Sequence, residues 1–230
     1  MKTSKIIFIS LLSTITLLIL AAAIDLKISG HQREGSGYDF KRSRQSLPAF
    51  RILRVNNSLN ITLVRKDSSY LEVASFKDSI VPKVNFALRG DTLVVSDFEK
   101  TVHRNVSITI CANDSLRKIQ LTNSKVGTDR LGMGKLRFEL DHSDLFLNQD
   151  LKLKNALLSF DIDAKNHSEI NSNEFSVDSL SLQLRNSKAN LDLYVKKIYG
   201  TLSDSSVIYS RQPQEISLKK DASSKINVYE

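Results

Sequence analysis

Two clusters in this 230-residue chain hold side chains of types that could do chemistry. They are Asp141-His142-Ser143-Asp144, and Asp161-Ile162-Asp163 with His167 close behind. Carboxylates and an imidazole together are a ligand set for a divalent ion, if the fold brings the two segments to one place. Asp161 and Asp163 are two apart, so a strand would put them on one face. Paired carboxylates of that kind serve acid–base cleavage of a polysaccharide, provided a cleft perturbs one of them. Further signals for either use are missing. No glycine-rich calcium-binding nonapeptide occurs, and no Gly-x-Ser-x-Gly nucleophile turn. Aromatic residues make up 7% of the chain and Trp is absent, which leaves little for a sugar-stacking platform. Cys111, the lone thiol, lies in an alternating apolar run rather than an activating environment. We therefore read Asp141, His142, Asp144, Asp161, Asp163 and His167 as surface positions, and expect no catalytic residue, metal or cofactor.

The elements that would position these residues are strands. From Phe50 onward the hydrophobic period is two: Leu59, Ile61 and Leu63; Val84, Phe86 and Leu88; Val106, Ile108 and Ile110. Strict alternation marks half-buried strands. Asn56-Asn57, Lys66-Asp67-Ser68 and Asn113-Asp114-Ser115 punctuate the runs as turns. Arg89-Gly90-Asp91 spells an integrin-type tripeptide, but it stands where a tight hairpin is required, and Gly-Asp serves that turn. No helical spacing follows the N-terminal segment. The body is all-β.

Its second half repeats. Strand, polar turn with serine, strand recurs as Ile119–Val126, Phe138–Leu145, Ile162–Ile170 and Leu182–Ala189, with weaker copies further on. The turn serines are Ser124, Ser143, Ser168, Ser187, Ser205 and Ser224, spaced 19, 25, 19, 18 and 19 apart. The long interval holds about six extra residues, which we place in a loop around Asn171–Glu174. Such a period fits a parallel β-helix, or β-solenoid, whose successive turns stack ~4.8 Å apart. Asn123, His142, His167 and Asn186 would then line one corner. The alternative is an antiparallel β-sandwich with regular strand lengths.

This pattern resembles the autotransporter adhesin head domain called the GIN domain, of exported proteins from Bacteroidetes-type bacteria. The resemblance rests on Phe50–Leu63, Leu71-Glu72-Val73, Leu93-Val94-Val95, Val106–Ile110, Leu116–Ile119 and the serine turns. It covers about residues 46–230, with the serine-turn repeats over 116–230. It implies an exported, right-handed β-helix-like domain of unknown ligand and adhesin-like role. Unlike many members of that family, the chain has no lipoprotein cysteine and few turn glycines.

Residues 1–24 read as an export address. Lys2 and Lys5 precede an uncharged stretch, Ile6 to Ile24, whose 19 residues would span roughly 28 Å as a helix, near the hydrocarbon thickness. It is either a retained anchor or a signal peptide cleaved after small residues such as Ala21 and Ala23. Either way the body lies in the cell envelope, facing the periplasm or outside, or is secreted. Residues 25–45 read as a flexible linker. The net charge is +8, of which the address supplies two lysines, leaving +6 on the exported part. The basic residues alternate with acids, so nucleic acid is not expected as a partner. Expected partners are the membrane through the N-terminal helix, an anionic glycan or an envelope protein, and a second copy through open strand edges. The function classes left open are an adhesin-like binder, a self-associating structural envelope protein and a glycan-active β-helix enzyme. Asp78-Ser79-Ile80, Asp91-Thr92-Leu93, Asp114-Ser115-Leu116 and Asp178-Ser179-Leu180 also match an Asp-Ser/Thr-apolar O-glycosylation pattern.

Overall fold

The computed structural model describes residues 40–57, 59–76, 83–98, 106–129, 131–132, 134–148, 158–173 and 176–229. The address and its cleavage alanines lie outside the described residues, as does Asp78-Ser79-Ile80. Among the described residues no helix is long and apolar enough to cross a membrane. All 19 elements among the described residues are strands. The first seven are β1 (Phe40–Ser46), β2 (Ile52–Asn56), β3 (Asn60–Arg65), β4 (Tyr70–Phe76), β5 (Val84–Arg89), β6 (Thr92–Phe98) and β7 (Val106–Ala112). The next six are β8 (Lys118–Thr122), β9 (Lys125–Asp129), β10 (Lys135–Asp141), β11 (Asp144–Leu147), β12 (Ser159–Lys165) and β13 (Glu169–Ser172). The last six are β14 (Ser176–Arg185), β15 (Lys188–Leu191), β16 (Tyr194–Ser203), β17 (Val207–Arg211), β18 (Glu215–Lys220) and β19 (Lys225–Tyr229).

They form two large mixed sheets. Sheet A has the order β1-β4-β7-β3-β9-β11-β13-β15-β17-β19, and sheet B the order β18-β16-β14-β12-β10-β8-β2-β6-β5. From β8 onward each even strand lies in sheet B and the odd strand after it in sheet A. Each pairs in parallel with the strand two places on. A parallel partner cannot be reached by a tight turn. Here the strand in the opposite sheet carries the chain round. Antiparallel pairing occurs at β4–β7 and β5–β6. The β5–β6 hairpin turns at Gly90-Asp91, with Arg89 opposite Thr92 and Gly90 at φ +62°. A turn of that hand favours glycine.

Alternation decides what each strand buries. In β10 Leu136, Phe138 and Leu140 face inward while Lys135, Arg137 and Glu139 face out. In-register pairing stacks like on like, so Ile119, Phe138, Ile162 and Leu182 form one inward column. Val126, Leu145, Ile170, Ala189 and Ile208 form the facing column in sheet A. Columns from both sheets join a single apolar core. Each fully buried Leu, Ile or Phe contributes about 1.5–3 kcal/mol. The rings of Phe138 and Phe160 meet edge to face at 5.7 Å.

Two expectations are corrected. The linker 25–45 ends inside β1, which begins at Phe40. Its run Lys-Arg-Ser-Arg-Gln-Ser has no apolar alternation to signal a strand. It is held by edge pairing on β4, by Arg42 with Glu72 (3.8 Å), and by the Arg44 guanidinium 3.5 Å above the Tyr70 ring. The extra residues of the long repeat do not fall around Asn171–Glu174. β13 ends at Ser172 and β14 opens at Ser176, whereas β11 ends at Leu147 and β12 opens at Ser159. The insertion therefore lies between β11 and β12.

Candidate functional site

Three places gather polar or aromatic side chains in register: one corner between the sheets, the outer face of sheet B and the outer face of sheet A. The corner joins each sheet B strand to the sheet A strand that follows. Asn123, His142, His167 and Asn186 all sit there with positive φ (48°, 49°, 63° and 47°), and Asn166 does likewise at 57°. Asn and His tolerate this left-handed geometry better than branched residues. One residue on, the chain places a buried serine. Ser124 N–H donates to Ser143 Oγ (3.1 Å), Ser143 N–H to Ser168 Oγ (3.1 Å) and Ser187 N–H to Ser206 Oγ (3.2 Å). The same hydroxyls donate back to turn carbonyls, as Ser143 Oγ does to Asp141 O at 2.8 Å. The ladder satisfies backbone groups that the corner would otherwise orphan. Ser124, Ser143, Ser168 and Ser187 are its buried serines; Ser224 is buried too, but its N–H donates to Asp221 Oδ1 (2.9 Å) rather than to another rung, and Ser205 is not buried. Ser205 takes the left-handed place (φ 65°) and Ser206 is the buried member. The turn there carries two left-handed residues, Asp204 and Ser205, which moves the serine on by one.

The corner also divides the first cluster. Asp141 closes β10 in sheet B and Asp144 opens β11 in sheet A. Asp144 pairs with Lys125 at 2.6 Å. Asp141 Oδ1 accepts from Asn166 Nδ2 (2.8 Å) and lies 2.9 Å from His142 Nδ1, while Lys165 Nζ is 3.1 Å from Oδ2. The Asn166 bond, with help from Lys165 and His142, holds the Asp141 carboxyl below its ordinary value. His167 stands 3.4 Å from Asn186 Nδ2 on the next rung. Asp161 and Asp163 share the outer face of β12 as anticipated, and Asp161 meets Arg137 at 3.3 Å. Among the described residues no group of three or more His, Cys, Asp or Glu is gathered to hold a metal ion.

On the outer face of sheet B, Glu139, Asp141, Asp163, Lys165 and Arg185 line an open depression of about 220 Å³. Arg54 binds Gln120 Oε1, and Gln120 Nε2 passes a 2.8 Å bond to Glu139. Burial pushes the Glu139 carboxyl up, but the bonds from Lys118 and Gln120 outweigh it and leave it below its ordinary value. Glu139 and Asp141 thus shift away from the raised value a general acid needs at neutral pH.

On the outer face of sheet A one row runs Thr62, Gly127, Phe146, Asn171, Asn190, Tyr209 and Asn227, each opposite the next. Phe146 is 44% exposed and Tyr209 41%. Asn190 Nδ2 donates to Asn171 Oδ1 (2.8 Å) and Glu169 Oε1 (3.0 Å). The composition obscured this row, because few aromatics are needed when two stand on one line. The readable signal was Phe146 in the outward slot of Asp144-Leu145-Phe146-Leu147. Of the glycosylation tripeptides, Ser115 Oγ lies 2.7 Å from the Phe50 carbonyl and Ser179 Oγ 2.8 Å from Ser159 Oγ. Thr92 is half-buried in β6.

No family model matches the chain, and no curated protein does. Solved structures do. A "putative adhesin" from Bacteroides fragilis superposes with a TM-score of 0.55 at 14% identity, over 83% of this chain and 97% of that one. A "putative adhesin" from Parabacteroides merdae gives 0.45 at 9% identity, over 84% and 98%. One from Parabacteroides distasonis gives 0.40 at 13%, over 84% and 98%. The likeness to the Bacteroides fragilis structure extends over nearly all of that chain and is a likeness of fold.

Proposed function

We propose that this chain is an exported, non-catalytic binding protein of adhesin-like type, related to the GIN-domain proteins. Its body is a β-solenoid that displays its sheet faces to a ligand. The N-terminal segment anchors it in the membrane, or is cleaved to release it into the envelope space. The observation that carries this reading is the pairing pattern. Parallel partners two strands apart make long faces on which outward side chains stand in straight rows. Such rows are extended surfaces for recognition, as in other stacked-repeat proteins. The test is retention of the purified chain on immobilised envelope polysaccharides and envelope proteins, with turnover of the same polysaccharides followed in parallel. Retention without chain cleavage supports the reading; reducing-end release with loss of activity in Asp163→Asn would replace it with a glycan-active enzyme.

A second reading, self-association in the envelope, has its own observation. Ile216 and Val228 stand opposite inward Ile198 and Ser210, yet are 41% and 39% exposed on β18 and β19. An apolar edge of this kind pairs readily with another copy. Sedimentation of the wild type against Ile216→Lys distinguishes it, since a monomer at all concentrations excludes it.

A further inference from the structure

We propose that the outer row of sheet A is the binding site, and that its ligand is a neutral, extended β-linked polysaccharide lying along the stack of strands. This rests on the binding reading above and names its site and ligand class. Phe146 and Tyr209 are the two exposed rings of the row, with Asn171 and Asn190 between them. Three strand-to-strand steps separate the rings, so they stand roughly 14 Å apart. One step matches the rise of one pyranose unit in an extended β-linked chain. Two rings that far apart can each carry a sugar face while the amides between them meet the hydroxyls of the intervening units. Among the described residues, Asn190 Oδ1 and Asn171 Nδ2 have no hydrogen-bond partner, which leaves an acceptor and a donor for those hydroxyls.

Gly127 supplies an independent indication. A glycine inside a strand weakens it, and occurs at bulges or where a ligand approaches closely. Here the ladder is in register on both sides, through Thr62–Gly127 and Gly127–Phe146, so there is no bulge. Its φ lies outside the positive range, and a Cβ added there would meet nothing within 4 Å. Neither backbone nor packing requires glycine. What it creates is an open berth beside the Phe146 ring.

The charges beside the row argue for a neutral ligand. Lys125 pairs with Asp144 (2.6 Å), Lys188 with Glu169 (3.8 Å) and Arg211 with Asp192 (2.5 Å). These three cations are matched, which leaves little attraction for an anionic chain between Phe146 and Tyr209.

The test is binding of the purified full chain to neutral β-1,4-linked hexose oligosaccharides of increasing length, by isothermal titration. Affinity is expected to rise until the oligosaccharide spans Phe146 to Tyr209, then level off, and to change little with salt. Phe146→Ala and Tyr209→Ala should each weaken it about three- to tenfold. Gly127→Val should abolish binding while leaving the urea midpoint unchanged or raised, because valine suits a strand. That combination separates a blocked berth from a folding defect. Binding unaffected by all three variants overturns the site. Retention on anionic polysaccharide or on protein alone, steeply reduced by salt, overturns the ligand class and leaves the binding reading intact. No retention on any of these materials removes both.

Discussion

Replacing Ser143 by alanine tests whether the corner ladder stabilises the stack of successive repeats. Ser143 is buried, and its Oγ accepts the Ser124 N–H at 3.1 Å while donating to Asp141 O at 2.8 Å. Alanine leaves no cavity of consequence and no strain. It does leave the Ser124 amide buried without an acceptor, because the neighbouring rung's bond, Ser143 N–H to Ser168 Oγ, does not reach it. An orphaned buried donor costs about 1–3 kcal/mol. For a domain of this size that lowers the melting midpoint by about 2–12 °C. The control is Ser217→Ala on the exposed face of β18, expected within about 0.5 kcal/mol of wild type. Thermal and urea denaturation followed by far-ultraviolet circular dichroism give the two values. Amide hydrogen exchange gives a local readout: the Ser124 amide should exchange faster, while amides in β16–β19 keep their protection. If Ser143→Ala shifts the midpoint no more than Ser217→Ala, the hydroxyl is not satisfying a buried donor and the ladder has no energetic role.

Gly200 sits in β16 at φ +140°, and an added Cβ would fall 1.8 Å from Leu182 O. Gly200→Ala should therefore cost several kcal/mol, at or beyond ~4 kcal/mol, and a soluble variant with the wild-type urea midpoint would contradict the close approach of β14 and β16. Cys111 is buried, burial raises its thiol despite the Tyr70 hydrogen bond, and a thiol-reactive dye should label it only after unfolding; labelling at the rate of a small thiol in the folded protein would show the strand assignment to be wrong. Asp221 is held at about 2, mainly by Ser224 and by the Asp204 amide at 2.8 Å. Its folded value lies below its unfolded one, so its contribution is present above about pH 4 and fades as the pH falls toward 2. Carboxyl carbon NMR should give that value directly, and Asp221→Asn should flatten this part of the acid-unfolding curve; an ordinary aspartate titration for Asp221 would contradict the turn geometry.

Much of the fold could be read locally. Inward Leu136, Phe138 and Leu140, the Gly90-Asp91 hairpin, and left-handed Asn123, His142, His167 and Asn186 all follow from residue type and near-neighbour spacing. The candidate site was less legible. Asp161 and Asp163 share a face because strand geometry alone decides that. Whether Asp141 joins Asp144 depends on the corner between them, and the corner sends them to different sheets. Phe146 and Tyr209 are 63 positions apart in the chain and become companions only through three parallel registers.

The sequence by itself determined the class of structure, the inward and outward faces of most strands, and the serine period. Each is set by side-chain alternation and turn preference within a few residues. The tertiary structure decided which rungs are neighbours. It put Ser206 rather than Ser205 in the ladder, placed the insertion between β11 and β12, drew β1 out of the linker and set Gly127 beside Phe146. The reason is that register between parallel strands is fixed by the length and shape of the whole path through the opposite sheet. A single extra left-handed residue in that path moves a serine by one place without altering the local pattern on either side.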